Sequence, residues 1–251
     1  MISIRNTQWI FVFGIALTTL KTQAQFTPSP WEVGLNAGTL IYQGDLSQGN
    51  FGYTNCFRPA AELWVSRSLD PYFSIRANIL QGALHADEST YAGPAWRTHR
   101  NLAFSTPVSE FSVELVWDIN GKTFREGMRR FSPYLFVGAG FSLLNVDRNW
   151  SRFDTAYFNS NTPAGHGLGI DTLTKTPSFI PIIPVGVGLR YQVATQFFIN
   201  LEATYRISSS DYIDGFSYAA NPAKNDHYYG VSLGVSYRFG TTGISCPKVP
   251  L

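Results

Sequence analysis

The sequence is poor in charged residues, which make up 14% of its 251 residues, against roughly 25% in ordinary soluble proteins. There is no basic stripe of the kind that nucleic-acid-binding surfaces need, so that class of function is excluded. Low charge combined with 15% aromatic residues also excludes intrinsic disorder, which needs high charge and few aromatics. With only Cys56 and Cys246, the chain allows one disulfide but no disulfide framework.

Long apolar runs are missing as well. The run at residues 9–20 has only about a dozen residues, too few for a membrane-spanning helix, and it follows the basic Arg5. Small residues at positions 22 and 24 complete the pattern of a signal peptide, predicted as residues 1–24 with cleavage after Ala24. The alternative is an N-terminal membrane anchor. Cleavage removes Arg5 and Lys21 and no acidic residue, which leaves the mature chain formally neutral.

Beyond residue 25, apolar and polar residues alternate, which is the pattern of β-strands. The predicted strands lie near residues 31–41, 57–67, 73–79, 110–117, 134–143, 185–192, 197–206 and 229–239. Each is close to the ~9–11 residues that a tilted strand needs to cross a bilayer. No amphipathic helix of convincing length is predicted.

The links between the predicted strands alternate in length. Long links cover residues 43–56, 85–106, 146–178 and 208–226, whereas the links at 68–71 and 194–196 are tight and the basic link at 120–131 is intermediate. Outer-membrane barrels have long external loops and short periplasmic turns. We therefore predict an all-β fold for residues 25–251. It is an eight-stranded antiparallel transmembrane β-barrel, with strands between about 30 and 240 and a periplasmic tail at 241–251. A soluble lipocalin-like barrel, with its apolar face inward, is the alternative.

The polar faces of the predicted strands carry charges of both signs. They are Glu32, Glu62, Arg76, Glu110, Glu114, Arg190, Glu202, Arg206 and Arg238. Buried charges must pair, and five glutamates face four arginines here. Because the interior of an eight-stranded barrel is only just wide enough for side chains, we predict a plugged polar lumen.

Aromatic residues near the predicted strand ends suit the two interfacial girdles of a membrane barrel. They are Trp31, Tyr42, Tyr72, Trp117, Tyr134, Tyr191, Phe197, Tyr205, Tyr228 and Phe239.

No catalytic motif stands out, and we predict no catalytic, cofactor-binding or metal-binding residues. The glycine-rich stretch at 165–169 lacks the spacing of a phosphate-binding loop and is predicted to be a flexible external loop. Asp226 and His227, with Ser209 or Asp211, could imitate a hydrolase site. However, adjacent residues on a strand point to opposite faces.

The acidic residues at 211 and 214, followed by Gly215, could also cup Ca²⁺, but the ligand spacing of an EF-hand loop is missing. A turn at the end of a strand is the preferred interpretation.

Several stretches resemble one known family. They are EVG at 32–34, YQGDL at 42–46, SPYLFVGAG at 132–140, the segment 183–217, NDHYYGVSLGVSYRFG at 225–240, and the Cys-Pro pair at 246–247. Together they are similar to the Bacteroidota outer-membrane β-barrel family that includes PorG, the barrel component of the type IX secretion machinery. The resembling loop positions are Gly44, Asp45, Asp211, Asp214, Gly215, Asp226 and Tyr228.

The resemblance implies an outer-membrane protein whose periplasmic end faces the PorK–PorN ring of that machinery. It implies a non-enzymatic role in anchoring or aligning a periplasmic assembly. The contact surface would include Lys122, Arg125, Arg129, Arg130 and Cys246. The expected partners are outer-membrane lipid and periplasmic secretion-ring proteins, with no nucleic acid and no cofactor.

Two alternatives stay open: a surface-binding barrel that uses its long external loops, and a lipid-modifying outer-membrane enzyme. Any small-molecule ligand is unknown. Since Cys56 is expected at the external end and Cys246 in the periplasm, the two cysteines are not expected to pair.

Overall fold

The computed structural model describes residues 30–47, 49, 57–121 and 130–239. Within these residues there are nine strands: β1 (Trp31–Gln43), β2 (Arg58–Ser68), β3 (Phe73–Asp87), β4 (Ala103–Asp118), β5 (Phe131–Leu144), β6 (Asp147–Asn149), β7 (Phe179–Gln192), β8 (Phe197–Ser208) and β9 (His227–Phe239). Several predictions fall outside the described residues: the signal peptide, the tail at 241–251, Cys56, Cys246, Lys122, Arg125 and Arg129.

Eight of the strands close into one antiparallel barrel. Neighbours along the chain pair in the order β1, β2, β3, β4, β5, β7, β8, β9, and β9 returns to pair with β1. The short β6 pairs only with the start of β4, where Ala103 lies opposite Asn149. The predicted eight-stranded antiparallel barrel is confirmed.

The apolar face of each strand points outward. Leu35, Val113 and Leu233 each keep more than half of their surface exposed, while Glu32 and Asn36 on the opposite face of β1 are buried. This is the reverse of a lipocalin-like barrel. An apolar outer wall is what contact with lipid requires, because a charge there costs several kcal/mol.

The two ends of the barrel differ, and we name them by their connections. At the turn end, Leu69 N donates to Phe73 O (2.9 Å) and Val193 N donates to Phe197 O (3.0 Å), closing two tight turns. Trp31, at the start of β1, and Phe239, at the end of β9, pair with each other at this same end. The long links lie at the opposite, loop end.

β3 and β4 extend further toward the loop end than predicted, as far as the pair Asp87–Ala103. The predicted β3 ended too early because its inward positions Leu80, Leu84 and Ala86 are apolar. The alternation of polar inward and apolar outward residues is therefore not visible in this part of the sequence. These residues are buried in an apolar core at the loop end. The core consists of Leu40, Tyr42, Leu46, Leu80, Leu84, Ala86, Leu102, Phe104, Val108, Leu144, Ile180, Ile182, Ile213, Phe216, Ala219 and Tyr228.

Two of the long links are folded: the link at 85–106 holds a 3₁₀ turn at Glu88–Thr90 and helix α1 (Ala95–Arg100), and the link at 146–178 holds helix α2 (Pro163–Leu173). The prediction of a flexible loop at 165–169 is therefore wrong, because these glycines lie inside α2. The helix begins with a cap, since Thr162 Oγ1 accepts the Gly165 N–H at 3.2 Å, and Pro163 follows the cap.

Neither helix among the described residues is long and apolar enough to cross a membrane.

The prediction of interfacial girdle positions is wrong for three of the aromatic residues. Tyr42, Tyr134 and Tyr228 are buried inside the barrel. Tyr42 shares the inward face of β1 with Glu32 and Asn36, because successive side chains of a strand alternate between faces. The members that keep 43% or more of their surface exposed are Trp31, Tyr72, Trp117, Phe197 and Phe239. Tyr191 and Tyr205 are partly buried.

Candidate functional site

The inward charges form ion pairs at three levels of the lumen, beginning at the turn end. Arg238 Nη2 lies 2.9 Å from Glu32 Oε2, and Arg190 Nη1 lies 2.9 Å from Asp118 Oδ1. Arg190 Nε is also 3.5 Å from Glu32 Oε1. Asp118 was missed by the sequence analysis, although its position shares the inward face of β4 with Glu110 and Glu114.

At the middle level, Arg76 bridges two strands. Its Nη2 lies 2.7 Å from Glu114 Oε2 and its Nη1 lies 2.5 Å from Glu202 Oε1. The Tyr134 hydroxyl donates a second hydrogen bond to Glu202 (2.5 Å). The guanidinium also lies over the Phe136 ring, 4.5 Å from its centroid, so the cation is enclosed by both anions and an aromatic face.

Nearer the loop end, Arg206 Nε lies 2.7 Å from Glu110 Oε2, which also accepts a hydrogen bond from Tyr228. Glu62 is different: among the described residues it makes no ion pair, and Asn36 Nδ2 donates to it at 3.4 Å. With Asp118 added, six inward acids face four arginines, rather than the five against four predicted.

Buried side chains line the lumen at these levels. Two small cavities of about 20 and 30 Å³ lie against its polar side chains, each with room for about one or two water molecules. All nine predicted lumen charges are buried in this interior. Since a buried ion left without its partner is costly, each pair constrains the strands that carry it.

A second cluster closes the loop end, and it is built from the positions that resemble the known family. The Tyr42 hydroxyl, at the end of β1, lies 2.7 Å from Asp214 Oδ2 and 2.5 Å from Asp226 Oδ1. Both carboxyl groups also accept backbone N–H groups, Asp214 from Phe216 (2.8 Å) and Asp226 from Ile213 (3.1 Å). We call these three side chains the carboxyl lock.

The glycines of the family positions make room for this lock. A Cβ on Gly44 would collide with Asp226 Oδ1 and with the Tyr42 ring. Gly215 has φ +84°, a conformation that side-chain-bearing residues rarely adopt, and its carbonyl accepts from Arg148 Nη1 at 3.0 Å. Asp45 accepts the Asn221 N–H at 2.8 Å, which joins the first long link to the last.

Burial and mutual repulsion change the acidity of the lock. Burial, followed by repulsion from Asp226, raises the pKa of Asp214 well above its usual value. Burial also raises the pKa of Asp226 to about 8 and that of Asp45 to about 6, and in both cases the charge of Asp211 adds to the rise. At neutral pH the lock therefore holds protons, which lets a carboxyl group donate a hydrogen bond to a neighbouring oxygen.

Two further residues that the sequence analysis missed hold the loop end together. Asp171, on α2, is fully buried and accepts the N–H groups of Ser217 (3.1 Å) and Ala219 (2.8 Å). Glu88 and Arg100 form a buried ion pair at 2.5 Å. Nothing in a loop sequence signals such contacts, because loops lack the periodicity that reveals which side is buried.

The candidate hydrolase residues are not assembled as a triad. His227 Nδ1 accepts the Ser208 N–H at 3.2 Å, and Asp226 is hydrogen-bonded to the Tyr42 hydroxyl. No group of three or more His, Cys, Asp or Glu residues is arranged to hold a metal ion within the described part of the chain.

Of the predicted periplasmic contact residues, only Arg130 lies within the described residues. It is exposed at the turn end, where its Nη1 donates to the Tyr191 hydroxyl at 3.4 Å.

Comparison with known proteins gives one family and a set of similar folds. The model of the outer membrane protein β-barrel domain matches residues 10–239. Ail of Yersinia pestis, solved with the heparin analogue sucrose octasulfate, has a TM-score of 0.45 and 10% identity over 84% of this chain and 99% of that one. OprG of Pseudomonas aeruginosa has a TM-score of 0.44 and 10% identity over 85% and 97%. Neisserial surface protein A has a TM-score of 0.42 and 14% identity over 83% and 97%. No curated protein sequence matches the chain.

Proposed function

Because the chain belongs to the family of outer membrane protein β-barrel domains, we propose that it is a non-enzymatic barrel that anchors or aligns a periplasmic assembly. The ring of the type IX secretion machinery is the assembly that the sequence resemblance implies. Family membership gives the chain an outer-membrane location. In the usual orientation of such barrels, the loop end faces outside and the turn end faces the periplasm.

The observation that carries this proposal is the bracing of the lumen. Ion pairs cross it at three levels, through Arg238 and Arg190, then Arg76, then Arg206. Buried pairs of this kind hold the strands in one arrangement, because separating them exposes each charge to an apolar surround. A barrel whose strands are held by buried ion pairs, with contacts between its loops at the external end, suits a structural anchor better than a transport channel.

The periplasmic rim supplies the docking surface in this proposal. Arg130 is exposed there, and the adjoining link carries Lys122, Arg125 and Arg129. Such a basic rim would attract an acidic surface on a periplasmic partner and steer its approach.

A co-purification experiment tests the proposal. The full chain, carrying an affinity tag in its mature sequence, is recovered from native membranes and probed for periplasmic ring proteins. Arg129→Glu with Arg130→Glu is expected to reduce recovery at least about tenfold, because repulsion at an interface costs more than 1.4 kcal/mol.

The matched control reverses two exposed charges at the loop end, Lys175→Glu with Lys224→Glu, and should leave recovery unchanged. If no ring protein accompanies the wild-type chain, or if both double variants behave like wild type, the anchoring role at this rim is wrong.

A second candidate function is favoured by the external end. Among the described residues of its long links, Asp171 of α2 accepts an N–H group of the last link, and Asp45 of the first link accepts another. A preformed external surface loses less conformational entropy on binding than mobile loops do. It suits a surface-binding barrel, and attachment of cells with and without the protein to external surfaces tests that role.

A further inference from the structure

We propose that a pocket in the third long link binds a short neutral carbohydrate. The pocket has a volume of about 450 Å³ and lies between residues 150–160 and one face of α2. This volume is within the ~300–1,000 Å³ typical of small-molecule sites. The proposal rests on the second candidate function, the surface-binding barrel, and names a ligand class for it.

Aromatic and apolar side chains form the walls of the pocket. They come from Trp150, Phe153, Phe158 and Leu168. The rings of Phe153 and Phe158 lie 5.6 Å apart at 32°, and 39% of the surface of Trp150 is exposed. The C–H groups on one face of a sugar ring carry slight positive charge, which favours stacking on the negative face of an aromatic ring.

Polar groups without a protein partner stand at the rim. Thr155, Asn159 and Ser160 line the pocket and are exposed, and neither the two hydroxyls nor the Asn159 amide nitrogen donates a hydrogen bond to any residue that the structure describes. They are therefore free to bind the hydroxyls of a ligand. An aromatic wall with a rim of hydroxyl and amide groups matches a ligand that has apolar faces and polar edges.

The residues that line the pocket are all uncharged. They are Trp150, Phe153, Thr155, Phe158, Asn159, Ser160, Gly165, Leu168, Gly169 and Thr172. An anionic sugar would leave its charge unpaired against this lining, so a neutral saccharide fits best. A plain acyl chain would make no use of the polar rim.

The pocket is held in shape before any ligand arrives. Asp154 Oδ1 accepts the N–H groups of Ala156 and Tyr157, both at 3.0 Å, and Asp154 N donates to the carbonyl of His99 at 2.9 Å. The His99 ring stacks on Tyr157 with centroids 4.1 Å apart. This bracing ties the pocket wall to α1, which lowers the entropy cost of binding.

Gly169 offers a direct way to fill the pocket. A Cβ there would meet no atom within 4 Å, and leucine favours a helix by roughly 1 kcal/mol over glycine. Gly169→Leu should therefore keep the fold while occupying the site. Gly49, on another external link, is equally open, so Gly49→Leu is a matched control.

The experiment uses the full chain in lipid nanodiscs, which avoids sugar-headed detergents, and a panel of neutral, sialylated and sulfated oligosaccharides. Binding of neutral members by the wild type is expected, with a loss of at least about tenfold in both Gly169→Leu and Trp150→Ala. Gly49→Leu should bind as the wild type does. Heat-dependent electrophoretic mobility confirms that each variant is folded.

Three results would overturn the proposal: no binding of neutral members, binding of anionic members alone, or neutral binding that Gly169→Leu leaves intact. The cell-attachment assay separates this failure from that of the surface-binding role. Attachment by a chain that binds no neutral saccharide keeps the role and removes the ligand. Pocket-dependent saccharide binding without cell attachment would keep the ligand and rule out the surface-binding role.

Discussion

At the scale of single residues, the position of a side chain on its strand decides its surroundings. Tyr42 and Tyr228 could have been placed inside the barrel from the sequence, since each stands at an even step from an inward charge, Glu32 or Arg238, on its own strand. β5 carries no charge, but Tyr134 alternates with the outward apolar Leu135 and Val137. Asp118 follows from the same rule. The prediction of girdle aromatics was wrong for the three tyrosines because it relied on their nearness to strand ends instead of on the alternation of faces.

Arg76 is the residue whose loss should matter most in the lumen. Arg76→Leu would leave Glu114 and Glu202 buried without their cation, at a cost of about 3–5 kcal/mol. Unfolding by urea in lipid vesicles measures the change in the free energy of unfolding.

The control for Arg76 is an exposed ion pair. Arg152, which lies 2.9 Å from Asp87 with 40% of its side chain exposed, should lose no more than ~1 kcal/mol in Arg152→Ala. Equal losses in the two variants would mean that the lumen pairs contribute no more than surface pairs do.

At the scale of elements, the strands could be predicted and the links could not. A strand between lipid and a narrow lumen must alternate, so its pattern is visible in the sequence. The folded links obey no such period: Asp171 in α2 is buried against the last link, and Glu88 in the 3₁₀ turn is buried by its contacts with Arg100 and Leu102, later in its own link. The glycines of α2 were mistaken for loop residues because glycine is unfavourable in a helix, and the Thr162–Pro163 start was the better signal.

The carboxyl lock should make the loop end sensitive to pH. The pKa of Asp226 is raised from 3.8 to about 8 by burial and by the nearby Asp211 and Asp45, so the folded links bind a proton that the unfolded links release. Their stability is therefore full below about pH 4 and falls as the pH rises through about 8. Hydrogen-exchange protection of the Ile213 and Phe216 amides, which bind the two carboxyl groups, should decrease over this range.

Asp226→Asn removes the titrating group and keeps an oxygen that can accept hydrogen bonds. Its protection factors at Ile213 and Phe216 should change much less between pH 5 and pH 9, while amides in the middle of β4 stay protected in both proteins. Protection that is constant with pH in the wild type would show that the lock carries no proton.

At the scale of the whole molecule, the architecture follows from few constraints. Eight strands leave room for side chains but not for a wide channel, and the inward charges must then pair across the lumen. The sequence was sufficient to predict the barrel and its inward charges, because both depend on alternation alone. It could not show that the loop end has its own apolar core, since Leu80 and Leu84 look like lipid-facing residues until β3 is seen to pass beyond the polar lumen.

The same packing predicts that the barrel conducts ions poorly. Arg76, Glu114 and Tyr134 belong to one network at the middle of the lumen, in which Arg76 pairs with Glu114 and Glu202 and Tyr134 donates to Glu202. The carboxyl lock lies nearer the loop end, so a hydrated ion would have to displace ion pairs to pass. The wild type in planar bilayers should show no steady conductance. Replacing these three side chains together, by Arg76→Ser, Glu114→Ser and Tyr134→Ser, should produce measurable steps. Sustained wild-type openings, or a triple variant as silent as the wild type in spite of correct folding, would contradict a lumen closed by these side chains.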